Sequence, residues 1–189
     1  KSNSTTEDVA LANFAAKGIT TSPANGATLT TGNTAVTITV NGKTTTQSIT
    51  VNAITVTGVS IKTPPAKVTY FAGNALDLSG LVVTLTKSNA TTEDVAFADF
   101  AAKSITTNPV NGTTLATSET TVTITVNGKT TTQSITVNAI TVTGVSIKTA
   151  PIKVIYNDDD ALDLSGLVVT LTKSNSTTED VALANFAAK

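Results

Sequence analysis

The densest group of side chains able to do chemistry is Asn157-Asp158-Asp159-Asp160, with Asp163 just beyond it. Hard cations take several oxygen ligands, so Asp158, Asp159, Asp160 and Asp163 form the expected metal set, with Ca²⁺ as the ion. Outside a cell Ca²⁺ is millimolar, which suits a weak site of this kind. The competing reading is a solvated turn. The matching stretch earlier in the chain, Phe71-Ala72-Gly73-Asn74, carries no acid, so folding does not need one there.

Other acids repeat without a chemical partner. Asp77 and Asp163 each sit between two leucines, and a short carboxylate in that position suits the capping of a turn through backbone N–H groups. Glu7-Asp8, Glu93-Asp94 and Glu179-Asp180 recur as pairs near lysines and read as solvated loop residues. Asn3-Ser4-Thr5, Asn89-Ala90-Thr91, Asn111-Gly112-Thr113 and Asn175-Ser176-Thr177 fit the N-glycosylation pattern, a three-residue match that is expected to be accidental. A Lys–Asn cross-link needs a buried lysine, and no spacing singles out a trio for one.

What is missing narrows the chemistry further. There is no cysteine and no histidine, so disulfides, thiol nucleophiles and imidazole bases are excluded. Every basic residue is a lysine, and twelve cations against thirteen anions leave a net charge of -1. That balance gives no footprint for nucleic acid and no polybasic membrane anchor. No apolar run is long enough to span a bilayer. No catalytic residue is expected, and no enzyme.

The elements that would hold these residues come from a repeat. Lys1-Ser2-Asn3 returns at Lys87-Ser88-Asn89 and at Lys173-Ser174-Asn175, a period of 86 residues. The two periods agree at roughly four positions in five, far beyond chance for a repeat of this length. Asn41 to Lys62 returns unchanged as Asn127 to Lys148, and Lys173 to Lys189 is identical to Lys1 to Lys17. A period of this size is a small domain with its own core rather than a solenoid turn. Three segments are expected: residues 1–54 as the back part of one unit, 55–140 as a whole unit, and 141–189 as the front part of another. The partial pieces would expose raw sheet edges unless the chain continues or neighbouring chains complete them.

Within the whole unit, Thr57 to Lys62 reads as a first strand with Val59 and Ile61 inward, broken by Thr63-Pro64-Pro65. Lys67 to Tyr70 resumes, and Ala72-Gly73-Asn74 turns. Leu81 to Thr86 is the most hydrophobic strand and is expected at a sheet centre. Glu93 to Lys103 reads as a strand followed by a short helical turn, with Thr92 or Asp94 available to cap it. Ile105 to Thr107 is a short strand. Val122 to Val126 alternates strictly into Asn127-Gly128, the preferred pair for a type I′ turn. That turn pairs Val126 with Lys129 and Ile124 with Thr131, and parity puts Ile135 and Val137 on the same face. Threonine fills about a fifth of the chain and suits the wet face of such strands. Phe97, Phe100, Tyr70 and Tyr156 read as core anchors rather than sugar platforms. The expected fold class is all-β, tandem immunoglobulin-like antiparallel sandwiches.

The run Thr57-Gly58-Val59-Ser60-Ile61, then Pro65, Lys67, Tyr70 and Gly73, then Leu76-Asp77-Leu78-Ser79-Gly80-Leu81, and later Asn127-Gly128-Lys129, resembles the bacterial Ig-like domain family. In the last unit Asp159 replaces the glycine at 73, a departure at that turn. The resemblance implies an Ig-like sandwich on an exported bacterial surface protein, and it brings no catalytic residues. The expected role is a structural stalk, fibre or surface-layer segment at the cell surface or outside the cell. The alternatives are an adhesin module with a host or glycan ligand, or a spacer in a secreted glycan-active enzyme. Expected partners are neighbouring repeats and, through the two partial units, other copies of the chain.

Overall fold

The computed structural model describes residues 5–188. The chain forms two compact units, one ending at Thr55 and one beginning at Val56. Among the described residues there is no α-helix; the helical turns are short 3₁₀ segments.

The first unit opens with 3₁₀ turns at Leu11–Asn13 and Ala15–Lys17. Strands β1 (Thr20–Ser22), β2 (Ala35–Val40) and β3 (Lys43–Ser48) follow, in the antiparallel order β1-β2-β3. No described residue of this unit is fully buried. The apolar residues of β2, Val36, Ile38 and Val40, are left half-exposed.

The second unit holds β4 (Val56–Thr63), β5 (Thr69–Phe71), β6 (Val82–Lys87), β7 (Thr92–Ala96), β8 (Thr106–Asn108), β9 (Thr121–Val126), β10 (Lys129–Ser134) and β11 (Thr136–Asn138). After these come β12 (Val142–Thr149), β13 (Val168–Lys173) and β14 (Thr178–Ala182), then a last 3₁₀ segment, Leu183–Ala188. Two antiparallel sheets, β4-β6-β7 and β10-β9-β8, face the core of the region 56–138, and β12-β13-β14 repeats the first of them.

The β9–β10 hairpin has the register its sequence specifies. Val126 faces Lys129 and Ile124 faces Thr131. Asn127 and Gly128 have φ of 47° and 71°, the pair of positive values that a type I′ turn requires. Strand β6 is central, between β4 and β7. The strand and helical-turn reading of 93–103 also holds. Its cap differs: the first turn starts after Ala96 with no side-chain cap, because Asp94 points across the sheet instead.

One pairing departs from a purely antiparallel plan. Strand β5 runs parallel to β11, Tyr70 opposite Val137. The Thr63-Pro64-Pro65 break lets the chain leave the β4 sheet, since proline cannot donate to a ladder. The chain then rejoins beside the unit's last strand, and the break between β10 and β11 serves the same closure.

Between the sheets lies one apolar core. Leu78, Leu81, Val83, Val122 and Ile124 are fully shielded, with Tyr70, Leu76, Leu85, Phe100, Leu115 and Ile135 around them. Val59, Ile61, Phe97 and Val137 close its margin. Burying aliphatic side chains of this size is worth about 1.5–3 kcal/mol each, which is what holds a small bead together. Tyr70 brings a polar tip into the core and satisfies it. Its hydroxyl lies 2.9 Å from the Lys67 carbonyl oxygen and 3.0 Å from that of Asp77, and accepts the Asp77 N–H at 3.2 Å. The ring is thereby tied to both ends of the loop that precedes β6.

Candidate functional site

In the acidic loop, Asp160 accepts the Asn157 N–H at 3.0 Å and pairs with the Lys153 ammonium at 3.0 Å. These two contacts, the backbone one first, hold its carboxyl below the usual carboxylate range. Asn74 does the same work in the whole unit, accepting the Phe71 N–H at 3.0 Å. Asp163 accepts the Ser165 N–H at 2.9 Å, and Asp77 accepts the Ser79 N–H at 2.9 Å. Both carboxyls are pulled down chiefly by that bond. Asp159 has φ of 66°, close to the 87° of Gly73, so the turn keeps its left-handed residue although glycine is lost. Asp160 and Asp163 thus shape two separate turns. No group of three or more carboxylates among the described residues converges to hold a metal ion.

The repeated Glu-Asp pairs of the second unit are strand residues, not loop residues as the sequence suggested. Glu93 on β7 pairs with Lys87 at 2.7 Å and with Lys103. The Lys103 contact, then the Lys87 one, pulls its carboxyl down to about 2. Asp94 pairs with Lys62 and accepts the Thr84 hydroxyl at 2.6 Å. The set recurs on the following half: Glu179 meets Lys173 at 2.7 Å, and Asp180 meets Lys148 and the Thr170 hydroxyl at 2.7 Å. Glu93 and Glu179 meet a lysine of the adjacent strand, whereas Asp94 and Asp180 reach a lysine two strands away, over β6 and β13. Such arrangements lock register and leave no carboxylate free for acid–base work.

No buried residue among those described is polar or charged, so the buried lysine that a Lys–Asn cross-link requires is absent there. Phe97 and Phe100 meet edge to face at 5.3 Å, with Phe100 buried. Tyr156 repeats the Tyr70 arrangement, its hydroxyl 3.0 Å from the Lys153 carbonyl oxygen and 2.6 Å from that of Asp163. Asn89 and Asn175 each accept from the Thr two residues on, at 2.7 and 2.6 Å, and Asn111 accepts the Leu78 N–H at 2.8 Å. Asn89 and Asn175 hold turns, and Asn111 ties its turn to the distant Leu78 segment. Asn3 and Ser4 of the first glycosylation pattern lie outside the described residues.

What the sequence did not reveal is the amount of apolar surface on either side of the 56–138 core. Val145, Ile147, Ile152, Val154, Ile155 and Leu162 are all exposed, and Val145, Val169, Leu171, Val181 and Phe186 line an open groove. In the first unit Leu11, Pro23, Leu29 and Val36 line another. No helix among the described residues is long and apolar enough to cross a membrane.

A two-sheet bead of this build is an Ig-like module. Residues 63–137 match the profile of the bacterial Ig-like domain (group 3), and this segment is a member of that family. Domains of this family are non-catalytic and typical of bacterial surface proteins. No curated protein matches the chain.

Proposed function

We propose that the chain is a passive structural segment of a bacterial cell-surface or extracellular protein, in which successive beads form a stiff spacer. One observation carries the reading. The joint from β11 to β12 is Ala139-Ile140-Thr141 alone, and Ser174 clamps it. The Ser174 N–H donates to the Thr141 carbonyl at 2.8 Å, and its hydroxyl accepts the Thr141 N–H at 3.0 Å and lies 3.4 Å from the Ala139 carbonyl. Ser174 belongs to the turn after β13 of the following half, so the joint is fixed by the element it introduces. A joint this short and this well bonded lacks the freedom of a Gly/Ser linker. The carboxylates engaged in turns and ion pairs agree with a mechanical role.

The test uses spin labels, since the chain has no native thiol to compete. Cysteines at Thr132→Cys on β10 and Thr178→Cys on β14 report the distance across the joint. A single narrow distance distribution is expected, broadened by Ser174→Ala. A broad distribution in the parent protein, unchanged by Ser174→Ala, overturns the reading.

A further inference from the structure

The chain of the 56–138 bead meets itself close to where it enters and leaves. Strand β5 runs parallel to β11, with Thr69, Tyr70 and Phe71 opposite Thr136, Val137 and Asn138. At one end of the pair the Thr136 N–H donates to the Val68 carbonyl at 2.8 Å, and at the other the Ala72 N–H donates to the Asn138 carbonyl at 2.9 Å. Residues 72–135 are therefore a loop closed by this pair. The loop holds every buried residue of the bead's core cluster except Tyr70.

The parallel sense decides how the pair yields to tension. A pull on the chain before the bead draws β5 toward its N-terminal end. A pull on the chain after it draws β11 toward its C-terminal end. In parallel strands these directions are opposed along one axis, so the evenly spaced ladder bonds are sheared and carry the load together. An antiparallel pair pulled across its strands parts one bond at a time instead. Strand β4 lies ahead of the pair, and its separation from β6 frees only the chain before Thr69. No length of 72–135 is released until β5 and β11 part. Strand β5 is also pinned from behind. The Tyr70 ring is buried, its hydroxyl is bonded to the Asp77 main chain, and Val137 opposite it packs against the same core. Sliding β5 along β11 drags that ring out of the core and breaks those bonds in the same movement.

We propose that the β5–β11 pair is a shear clamp, and that bearing tension along the chain is a further function of the bead. The clamp keeps the whole core loop out of the load path, so the bead holds its full fold up to one threshold and then opens in a single event. Forced opening is governed by the unfolding rate and not by equilibrium stability. The few bonds of the clamp therefore set the threshold, while the much larger core sets the stability. The inference deepens the spacer reading and rests on it for the load, which reaches the bead along the chain. The two fail separately, because spin-label distances report the joint and an opening force reports the bead.

Single-molecule pulling of the full chain tests it, with handles on cysteines introduced into a chain that has none. Ile54→Cys with Ala139→Cys pulls along the chain and loads β5 against β11. Thr106→Cys with Thr130→Cys, on either side of Thr125, pulls across the antiparallel sheet β8-β9-β10. The first geometry is expected to need roughly twice the force of the second, or more. Its main event should release residues 72–135 in one step, at about 3.5 Å per residue. In the first geometry Thr136→Pro, which removes the N–H donated to Val68, should lower the peak force more than Leu76→Ala does. Leu76→Ala should lower the urea midpoint more. Equal forces in the two geometries overturn the proposal, and so does release of any part of 72–135 before the main event. A peak force untouched by Thr136→Pro overturns it as well. The comparison of geometries needs no substitution in the clamp, so the test stands even if Thr136→Pro does not fold.

Discussion

Glu93 sits between two ammonium groups, and its titration has a definite sign. Its carboxyl falls from the ordinary 4.5 to about 2 in the folded chain. A carboxyl depressed on folding stabilises above its unfolded value, and the contribution is lost as pH falls through the folded one. The thermal midpoint should therefore drop between about pH 4.5 and pH 2. Glu93→Gln should show a shallower acid-side drop than the parent, measured by circular dichroism across that range. Equal slopes would remove Glu93 from the account. The pair was visible in the sequence, but its partners were not. Lys87 and Lys103 come within reach only because strand pairing sets Leu85 opposite Glu93 and a helical turn swings Lys103 back. Tyr70 is a second case. Tyr70→Phe keeps the ring and strips a buried hydroxyl from three main-chain groups. The expected cost is about 1–3 kcal/mol by urea unfolding. Tyr156→Phe, where the same groups are half-exposed, should cost less.

At the level of strands and turns, local chemistry and long-range closure separate cleanly. The β9–β10 hairpin was legible to the residue, because Asn127-Gly128 selects one turn and alternation then selects one register. Gly128 has φ of 71° with open space where a Cβ would stand, so Gly128→Ala is a test of conformation alone. A loss of about 1 kcal/mol is expected, and no loss would mean the turn is of another type. The parallel β5–β11 pair was not legible. Nothing near Tyr70 announces Val137; the two meet only when the whole bead closes. The turn at Asp159 taught the opposite lesson. Losing glycine looked like a departure, yet the neighbouring bonds of Asp160 and Tyr156 hold the same backbone with a residue type that tolerates it.

For the molecule as a whole, position in the repeat decides what a residue is worth. Leu76→Ala removes a side chain from a closed core and should cost about 2–5 kcal/mol. Leu162→Ala, at the same place in the motif but facing solvent in a single chain, should change stability by less than about 0.5 kcal/mol. Chemical denaturation followed by tyrosine fluorescence compares the two, and equal effects would mean that Leu162 is covered. Hydrogen exchange should agree, with slow amides concentrated between Val56 and Asn138. The period and its fold family could be read directly from the spelling of the chain. How far each copy of the motif is covered could not, because burial depends on which residues stand opposite and not on the residue itself.

The unchanged seam from Asn41 to Lys62 and from Asn127 to Lys148 bears on biosynthesis. Repeats this alike cannot tell their proper partner strands from those a period away, so correct pairing must come from timing. On a ribosome adding about 5–20 residues per second, the first strands of a bead wait only a few seconds for its last strands, while those of earlier beads are already paired. Long arrays of such beads should thus emerge correctly when made vectorially. The same arrays, diluted from denaturant with every strand available at once, should scramble and tangle.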